Sequence, residues 1–367
     1  MSNAYPFETI TVNTREVRLH DVLEQREAPR DDFETSLFAF ICEWQSGAEN
    51  FTQHTSGSTG APKAITVTRR QMTTSARMTA EALMLQQGDT ALICLSPDFI
   101  AGKMMVVRCF ETGMKLIAQT PSANPLAQLG DQTIDFTAFV PYQVHDGLRS
   151  PHASTLQQVR KLIIGGAALD AESERMLQAY GCACYATYGM TETVSHIALK
   201  SLNGPRASGD YKTLPGIVIT TDPRGCLVIE APHFPDRIVT NDLVNIKDAH
   251  TFSWLGRWDN VINSGGMKII PETLEAEIGN VMAEQNITLP FVIGSVPDEK
   301  LGNKLVLVME GVVNTPQQQD LLAALRTHLV GHKAPKEIKT LPRFAYTDNG
   351  KINRKETMRL IQPASGQ

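Results

Sequence analysis

From residue 64 to residue 180, short apolar runs rich in β-forming residues alternate with stretches of helical period, and no other feature narrows the fold as much. Residues 64–67, 90–95, 115–119, 137–140 and 161–164 read as strands, and 71–85, 103–111 and 171–180 as helices. An amphipathic run at 33–44 reads as a further helix ahead of them. Strand and helix in turn predict an α/β layered sheet. The character changes between Gly216 and Leu255, where apolar β runs at 217–220, 226–229 and 252–255 are punctuated by the turn sequence Asp222-Pro223-Arg224-Gly225. These read as hairpins in a small antiparallel unit that closes the larger domain. After Gly256-Arg257-Trp258-Asp259 come a short strand and turn at 261–266, a helix from Pro271, a strand at 305–309, a helix from Pro316 and a basic tail, together a compact α+β module. The expected domains are residues 1–258 and 259–367, and a length of 367 suits two domains of ordinary size.

Composition excludes several classes of function. With 34 Lys plus Arg against 39 Asp plus Glu, the net charge of −5 gives a field that repels nucleic acids and anionic membranes, so neither is an expected partner. Any anionic ligand has to be met by local groups. The first twenty residues carry charges and no apolar run of signal-peptide length, and no stretch of about 18 apolar residues follows, which predicts a cytoplasmic protein. The six cysteines are scattered, without a repeated C-x-x-C, and read as free buried thiols of a reducing compartment. A homodimer is the base-rate expectation for assembly. Between Arg326 and Arg359 nine Lys or Arg stand against three Asp or Glu, either a solvated basic face or a surface that meets polyphosphate.

The sharpest local signal is His54-Thr55-Ser56-Gly57-Ser58-Thr59-Gly60-Ala61-Pro62-Lys63. Hydroxyls, bare glycine backbone and a closing lysine supply donors and positive charge without side-chain obstruction, which a polyphosphate requires. The spacing is not that of a Walker A loop, which needs G-x-x-x-x-G-K-[ST]. Downstream stand Ile163-Ile164-Gly165-Gly166-Ala167, Tyr188-Gly189-Met190-Thr191-Glu192, Thr240-Asn241-Asp242, the run from Gly256 to Glu272, and Asp348-Asn349-Gly350-Lys351-Ile352-Asn353-Arg354. Each alone is a turn, a helix start or a solvated lysine.

In this order the segments resemble the motifs of the adenylate-forming superfamily, which includes acyl-CoA and aryl-CoA synthetases. That resemblance implies the adenylate-forming fold: a large layered α/β N-terminal domain with a small antiparallel β unit, and a small mobile α+β C-terminal domain. The phosphate loop begins near residue 54, so the leading subdomain is expected to be shortened. The resemblance implies ATP, Mg²⁺ and coenzyme A as ligands. Thr55, Ser56, Gly57, Ser58, Thr59, Gly60 and Lys63 then hold the phosphates. Gly165, Gly166 and Ala167 line the adenine and acyl pockets, while Tyr188 lies against adenine and Gly189 follows it. Thr191 contacts phosphate, Glu192 helps hold Mg²⁺, Asp242 accepts from the ribose hydroxyls and Arg257 reaches the ribose or α-phosphate. Asp259 is the hinge between the domains, and Lys351 is the mobile catalytic lysine. Gly265, Gly266 and Lys268 fall to coenzyme A. Position 241 departs from the family's T-G-D: asparagine stands for glycine.

Within the family, the segment 94–108 and the run Gly189 to His196 are most similar to the short o-succinylbenzoate-CoA ligases of menaquinone biosynthesis. Such a ligase makes an acyl adenylate from the acid and ATP, then a thioester. The acid carries two carboxylates, one of them a bystander that needs a donor or cation. Lys103, Arg108, Ser195 and His196 are the candidates, with Phe99 supplying an aromatic ring where many relatives have a histidine one residue later. Two alternatives stay open: a ligase for another acyl or aryl acid, or one loading a carrier-protein thiol; and, in a different class, a catalytically silent ATP-binding module.

Overall fold

A computed structural model describes residues 5–54, 64–347 and 352–361. Its main element is a sheet of 13 strands. Thr9–Val12, Lys115–Ala118, Thr90–Ile93, Ile134–Phe139, Val159–Ile164 and Ala183–Gly189 lie side by side in that order and run parallel. Along these strands the side chains divide between two cores: Ala91, Ile93 and Ile163 face one, while Leu92, Leu162 and Ile164 face the other. This is the two-residue period of a pleated strand, and burial on both faces is why the strands read as unbroken apolar runs. Helices Asp32–Gln45, Arg69–Leu83 and Ile100–Thr112 cover the first face, and Pro141–Arg149 and Ala171–Leu177 the second. The fold class read from the sequence is the one observed.

Beyond Gly189 the strand direction alternates. His196–Ser201, Tyr211–Thr213, Thr251–Arg257, Ile238–Asp248, Cys226–Glu230 and Val218–Thr221 extend the sheet as antiparallel neighbours. The expected hairpins are therefore present, and their unit is continuous with the parallel strands. A separate hairpin pairs Asn50–His54 with Ala64–Thr68, so the expected phosphate loop connects its two strands; residues 55–63 themselves lie outside the described residues. The second strand feeds directly into helix Arg69–Leu83 through a capping box, in which the Thr68 hydroxyl accepts from the Gln71 amide N–H at 3.2 Å and Gln71 Oε1 accepts from Thr68 N at 2.8 Å.

After Arg257 the chain builds a second set of layers. The hairpin Ile262–Ser264 and Met267–Ile269 turns at Gly265-Gly266 and leads to helix Pro271–Glu284. Phe291–Asp298, Gly302–Glu310 and Glu337–Leu341 form a sheet, its first pair antiparallel and its second parallel. Leu274, Ile278, Leu321 and Leu325 pack helices Pro271–Glu284 and Thr315–His328 on one face; Val292, Val306, Val308 and Phe344 make a smaller core on the other. The basic tail is partly neutralised: Lys333 pairs with Glu277 at 2.7 Å, Arg354 with Glu275 at 2.6 Å and Arg359 with Glu356 at 3.1 Å. All six cysteines are free, and burial pushes the thiols of Cys94 and Cys109 up to about 12. Among the described residues no helix is long and apolar enough to cross a membrane.

Candidate active site

Several candidate residues lie at the carboxyl ends of the parallel strands, where open α/β sheets present their crevice. Ser96 to Phe99 follow strand Thr90–Ile93, Gly165-Gly166-Ala167 follow Val159–Ile164, and Thr191-Glu192 follow Ala183–Gly189. The last two strands are in register at Ile164 and Ala186, so the glycine turn and the Thr-Glu turn are neighbours. The Thr187 hydroxyl ties them by donating to the Ile164 carbonyl at 3.2 Å.

The chain reverses sharply after Gly189. A side chain there would collide with the Ser195 carbonyl and the His196 Cα, so only glycine lets the two strands approach. Thr191–Thr193 form a turn of 3₁₀ helix, and Val194 follows with φ +68 and ψ −52, closed by a Ser195 N–H to Thr193 carbonyl bond of 2.7 Å. This is a γ-turn with positive φ on a β-branched residue, a strained geometry costing about 1–3 kcal/mol and persisting only where surroundings enforce it. It leaves Glu192 exposed and turns Ser195 inward.

Ser195 meets Arg108, which is buried at 1% exposure in helix Ile100–Thr112. Arg108 Nη2 donates to Ser195 Oγ at 2.8 Å, Ser195 Oγ is 3.3 Å from His196 Nδ1, and His196 Nε2 is 3.2 Å from Thr79 Oγ1. The Thr79 hydroxyl already donates to the Ser75 carbonyl at 3.0 Å, so His196 Nε2 carries the proton given to Thr79 and Nδ1 accepts from Ser195. The ring is thus neutral; burial, and then the charge of Arg108, hold its pKa well below the usual histidine value. Among the described residues Arg108 faces no carboxylate. Its Nε is buried without a partner and Nη1 reaches only the Met105 sulfur at 3.7 Å, and burial lowers its pKa to about 10. Thr79 carries no recognisable motif; only its place nearly three helical turns into an amphipathic helix, on the buried face, could have pointed to it.

The other two acid-pocket candidates do not join this network. Lys103 and Arg108 are five residues apart, about 140° around a helix, and Lys103 turns toward helix Asp32–Gln45, its Nζ 5.6 Å from the centre of the Phe40 ring. Phe99 lies 65% exposed just ahead of the helix.

Among the residues expected to meet the nucleotide, Tyr188 is almost covered, its ring set edge-on to Phe252 and Tyr211, and its hydroxyl donates to Asp242 Oδ2 at 2.6 Å. Asp242 Oδ1 accepts from the Trp254 indole at 3.3 Å and lies 3.8 Å from Arg257 Nη1. A carboxylate has about four lone-pair sites, so Asp242 retains acceptors for a diol. Burial and then the negative charge of Asp242 push the Tyr188 phenol up, keeping it a donor. Arg257 Nη2 donates to Asp259 at 2.8 Å; burial works against the guanidinium charge, but Asp259 and Asp242 outweigh it and its pKa is raised. Further along the chain, Gly265 and Gly266 both have positive φ, +56 and +79. A cleft beside them is lined by Ser264, Gly265, Met267, His332 and Lys336, while Lys268 Nζ lies 5.2 Å from the Trp258 ring centre. Lys351 and the loop residues Thr55 to Lys63 lie outside the described residues.

A mixed α/β sheet with polar turns gathered at its carboxyl edge is the architecture of adenylate-forming enzymes, and comparison with known proteins agrees. The sequence pattern of the AMP-binding enzyme family matches residues 10–221, and the chain belongs to that family. A 2-succinylbenzoate–CoA ligase of Staphylococcus aureus MRSA252 is 26% identical over 345 residues, covering 83% of this chain; the chain spans 66% of that enzyme's length. An acyl-CoA synthetase (AMP-forming)/AMP-acid ligase II-like protein from Dyadobacter fermentans is 41% identical, with a TM-score of 0.63 over 93% of this chain and 97% of its own. The o-succinylbenzoate CoA synthetase of Bacillus subtilis, solved with its acyl-adenylate intermediate, shares the fold with a TM-score of 0.70 at 20% identity, covering 86% of this chain and 69% of its own.

Proposed function

We propose that the chain is an o-succinylbenzoate–CoA ligase. A carboxylate oxygen of the acid attacks the α-phosphorus of ATP and the bond to the β,γ-phosphates breaks, releasing pyrophosphate. A thiol sulfur of coenzyme A then attacks the acyl carbon and AMP departs. The observation that carries this reading is Arg108, a buried guanidinium in helix Ile100–Thr112 that is bonded to Ser195 and has no carboxylate partner among the described residues. Leaving it so costs several kcal/mol unless an anion completes it, and the bystander carboxylate of a dicarboxylic acid is such an anion. The named ligases among the relatives support the same acid.

The remaining roles follow the motif order. The 55–63 loop holds the phosphates, the Gly165–Ala167 turn and Tyr188 frame the nucleotide, and Asp242 and Arg257 take the ribose side. Thr191 contacts phosphate. Lys351 bridges carboxylate and phosphoryl oxygens, and Asp259 is the pivot between residues 1–258 and 259–367. Gly265, Gly266 and Lys268 face the pantetheine arm. Mg²⁺ takes one or two carboxylates plus phosphate oxygens and water. Glu192, exposed and without a cation partner among the described residues, is the carboxylate that holds it, and when bound the ion neutralises phosphate charge.

The test is ATP–pyrophosphate exchange driven by a panel of acids. Exchange is expected with o-succinylbenzoate and not with fatty acids or simple benzoates. Exchange with a different acid alone overturns the substrate, and silence with every acid returns the chain to an ATP-binding module. Lys351→Ala is expected to abolish exchange yet still convert a presynthesised acyl adenylate to thioester, and loss of both halves contradicts its role.

A further inference from the structure

At position 241 the related motif has glycine, which has no side chain to bond with; here Asn241 makes three contacts that meet at the interdomain connection. Its Nδ2 lies 3.3 Å from each oxygen of Asp259, and its Oδ1 accepts from Arg224 Nη1 at 2.8 Å. Both ends of the amide are therefore fixed, and so is its orientation. Arg224 is itself held in place: Nε donates to Asp222 Oδ2 at 2.7 Å and Nη2 to the Thr240 carbonyl at 3.1 Å. Asp222 Oδ1 in turn caps the turn by accepting from the N–H groups of Arg224 and Cys226 at 2.8 and 3.0 Å. The Asp222–Gly225 turn thus acts as a rigid arm from the antiparallel strands to the connection. Asp259 receives a second bond from Arg257, and the neighbouring Trp258 lies between two cations, the Arg224 guanidinium 6.0 Å from its ring centre and Lys268 Nζ at 5.2 Å. Lys268 comes from the far side of the connection, on the hairpin that turns at Gly265-Gly266.

We propose that Asn241 and Arg224 form a latch on the connection at Trp258-Asp259, and that they are positioning residues setting how the ligase divides its time between the adenylate-forming and thioester-forming orientations. The second part rests on the function proposed above; the first does not. The latch depends on the asparagine side chain, which the glycine of the related motif does not have. It joins the connection to the nucleotide site, since the next residue is Asp242, which binds the Tyr188 hydroxyl and the Trp254 indole. Two other ties are found here: Thr273 Oγ1, on helix Pro271–Glu284, donates at 2.7 Å to the carbonyl of Leu255 in strand Thr251–Arg257 of the large sheet, and Asn260 donates to Glu272; neither involves Asn241 or Arg224.

The experiment uses the full chain with nitroxide labels at Arg175→Cys and Gln319→Cys, both exposed and on opposite sides of the connection, and reads their distance distribution by pulsed electron paramagnetic resonance. Wild type is expected to give one narrow distribution without ligands. Asn241→Gly, which removes the side chain, and Asn241→Asp, which sets a carboxylate against Asp259, are expected to broaden or shift it, and Arg224→Ala to do so less. Trp258 emission, assigned with Trp258→Phe, is expected to change in parallel, and circular dichroism checks that each variant is folded. Adenylation and thioester formation from a presynthesised adenylate are timed separately; their rate ratio is expected to move about fivefold to tenfold in Asn241→Gly, the worth of one or two such hydrogen bonds. An unchanged distribution in both Asn241 variants overturns the latch, whichever acid the enzyme uses. A shifted distribution with an unchanged rate ratio overturns its control of the two half-reactions.

Discussion

Arg108 and Arg354 are both largely withdrawn from water, one in each half of the molecule, and their surroundings are opposite. Arg354 grips Glu275 through two bonds of 2.6 and 2.8 Å and donates again to the Ile293 carbonyl at 2.6 Å. Burial works against its charge, but Glu275 outweighs it and the pKa rises. Arg108 has one good acceptor, a neutral hydroxyl, and burial lowers its pKa to about 10. A guanidinium held by a carboxylate and a carbonyl of its own fold is a strut; one left with an unanswered donor is the one we propose as a binding group. Burial alone does not separate the two, but a census of the partners does.

The largest expected effect tests the contrast through stability. Glu275→Ala strands Arg354 and is expected to cost about 3 kcal/mol or more in urea unfolding, the usual result of breaking a buried pair. Arg108→Met strands no charge, and its unfolding free energy is expected to stay level or rise. If both variants are equally damaged, Arg108 is a strut as well. Next comes ligand response: o-succinylbenzoate at about 100 times its Kd is expected to stabilise the wild type by about 2.7 kcal/mol and Arg108→Met far less at the same concentration, read as a shift in thermal midpoint.

The smallest effect concerns His196. Its folded pKa is depressed, so the unfolded chain takes up a proton near pH 6.5 that the buried ring refuses. The stability it contributes is complete above that pH and falls as pH drops below it. His233, lowered to about 4 by burial and then by the charge of Arg70, adds to the same slope. His196→Gln is expected to lose about 1 kcal/mol less than wild type between pH 7.5 and pH 5.5 in urea titrations. An equally steep loss contradicts a neutral buried ring.

Much of the fold was legible because the parallel strands are buried on both faces and so stand out as apolar runs. Ala183–Gly189 and Ile238–Asp248 were not: Ala-Cys-Tyr-Ala-Thr-Tyr-Gly lacks an aliphatic run, and the polar pair Asn241-Asp242 interrupts the second strand. Phe291–Asp298 ends in Val-Pro-Asp, which reads as a turn, yet it pairs with Gly302–Glu310 along its whole length. In the site, Arg108, Ser195 and His196 were named from the segments that carry them, and the structure brings them together. Lys103 was named for its charge, but helical period turns it elsewhere. What no single sequence shows is that Arg108 lacks a carboxylate among the described residues, since the absence of a partner is a property of packing.

The most direct test sets two acids against one arginine. Apparent KM is measured for wild type and Arg108→Met with o-succinylbenzoate and with its monocarboxylic analogue that keeps only the activated carboxylate. A charge-assisted hydrogen bond to the bystander carboxylate predicts a rise of about 10-fold to 100-fold for the dicarboxylic acid in the variant, with little change for the analogue or for ATP. An equal rise for both acids would contradict the account, because Arg108 would then be shaping the pocket without reading the second charge.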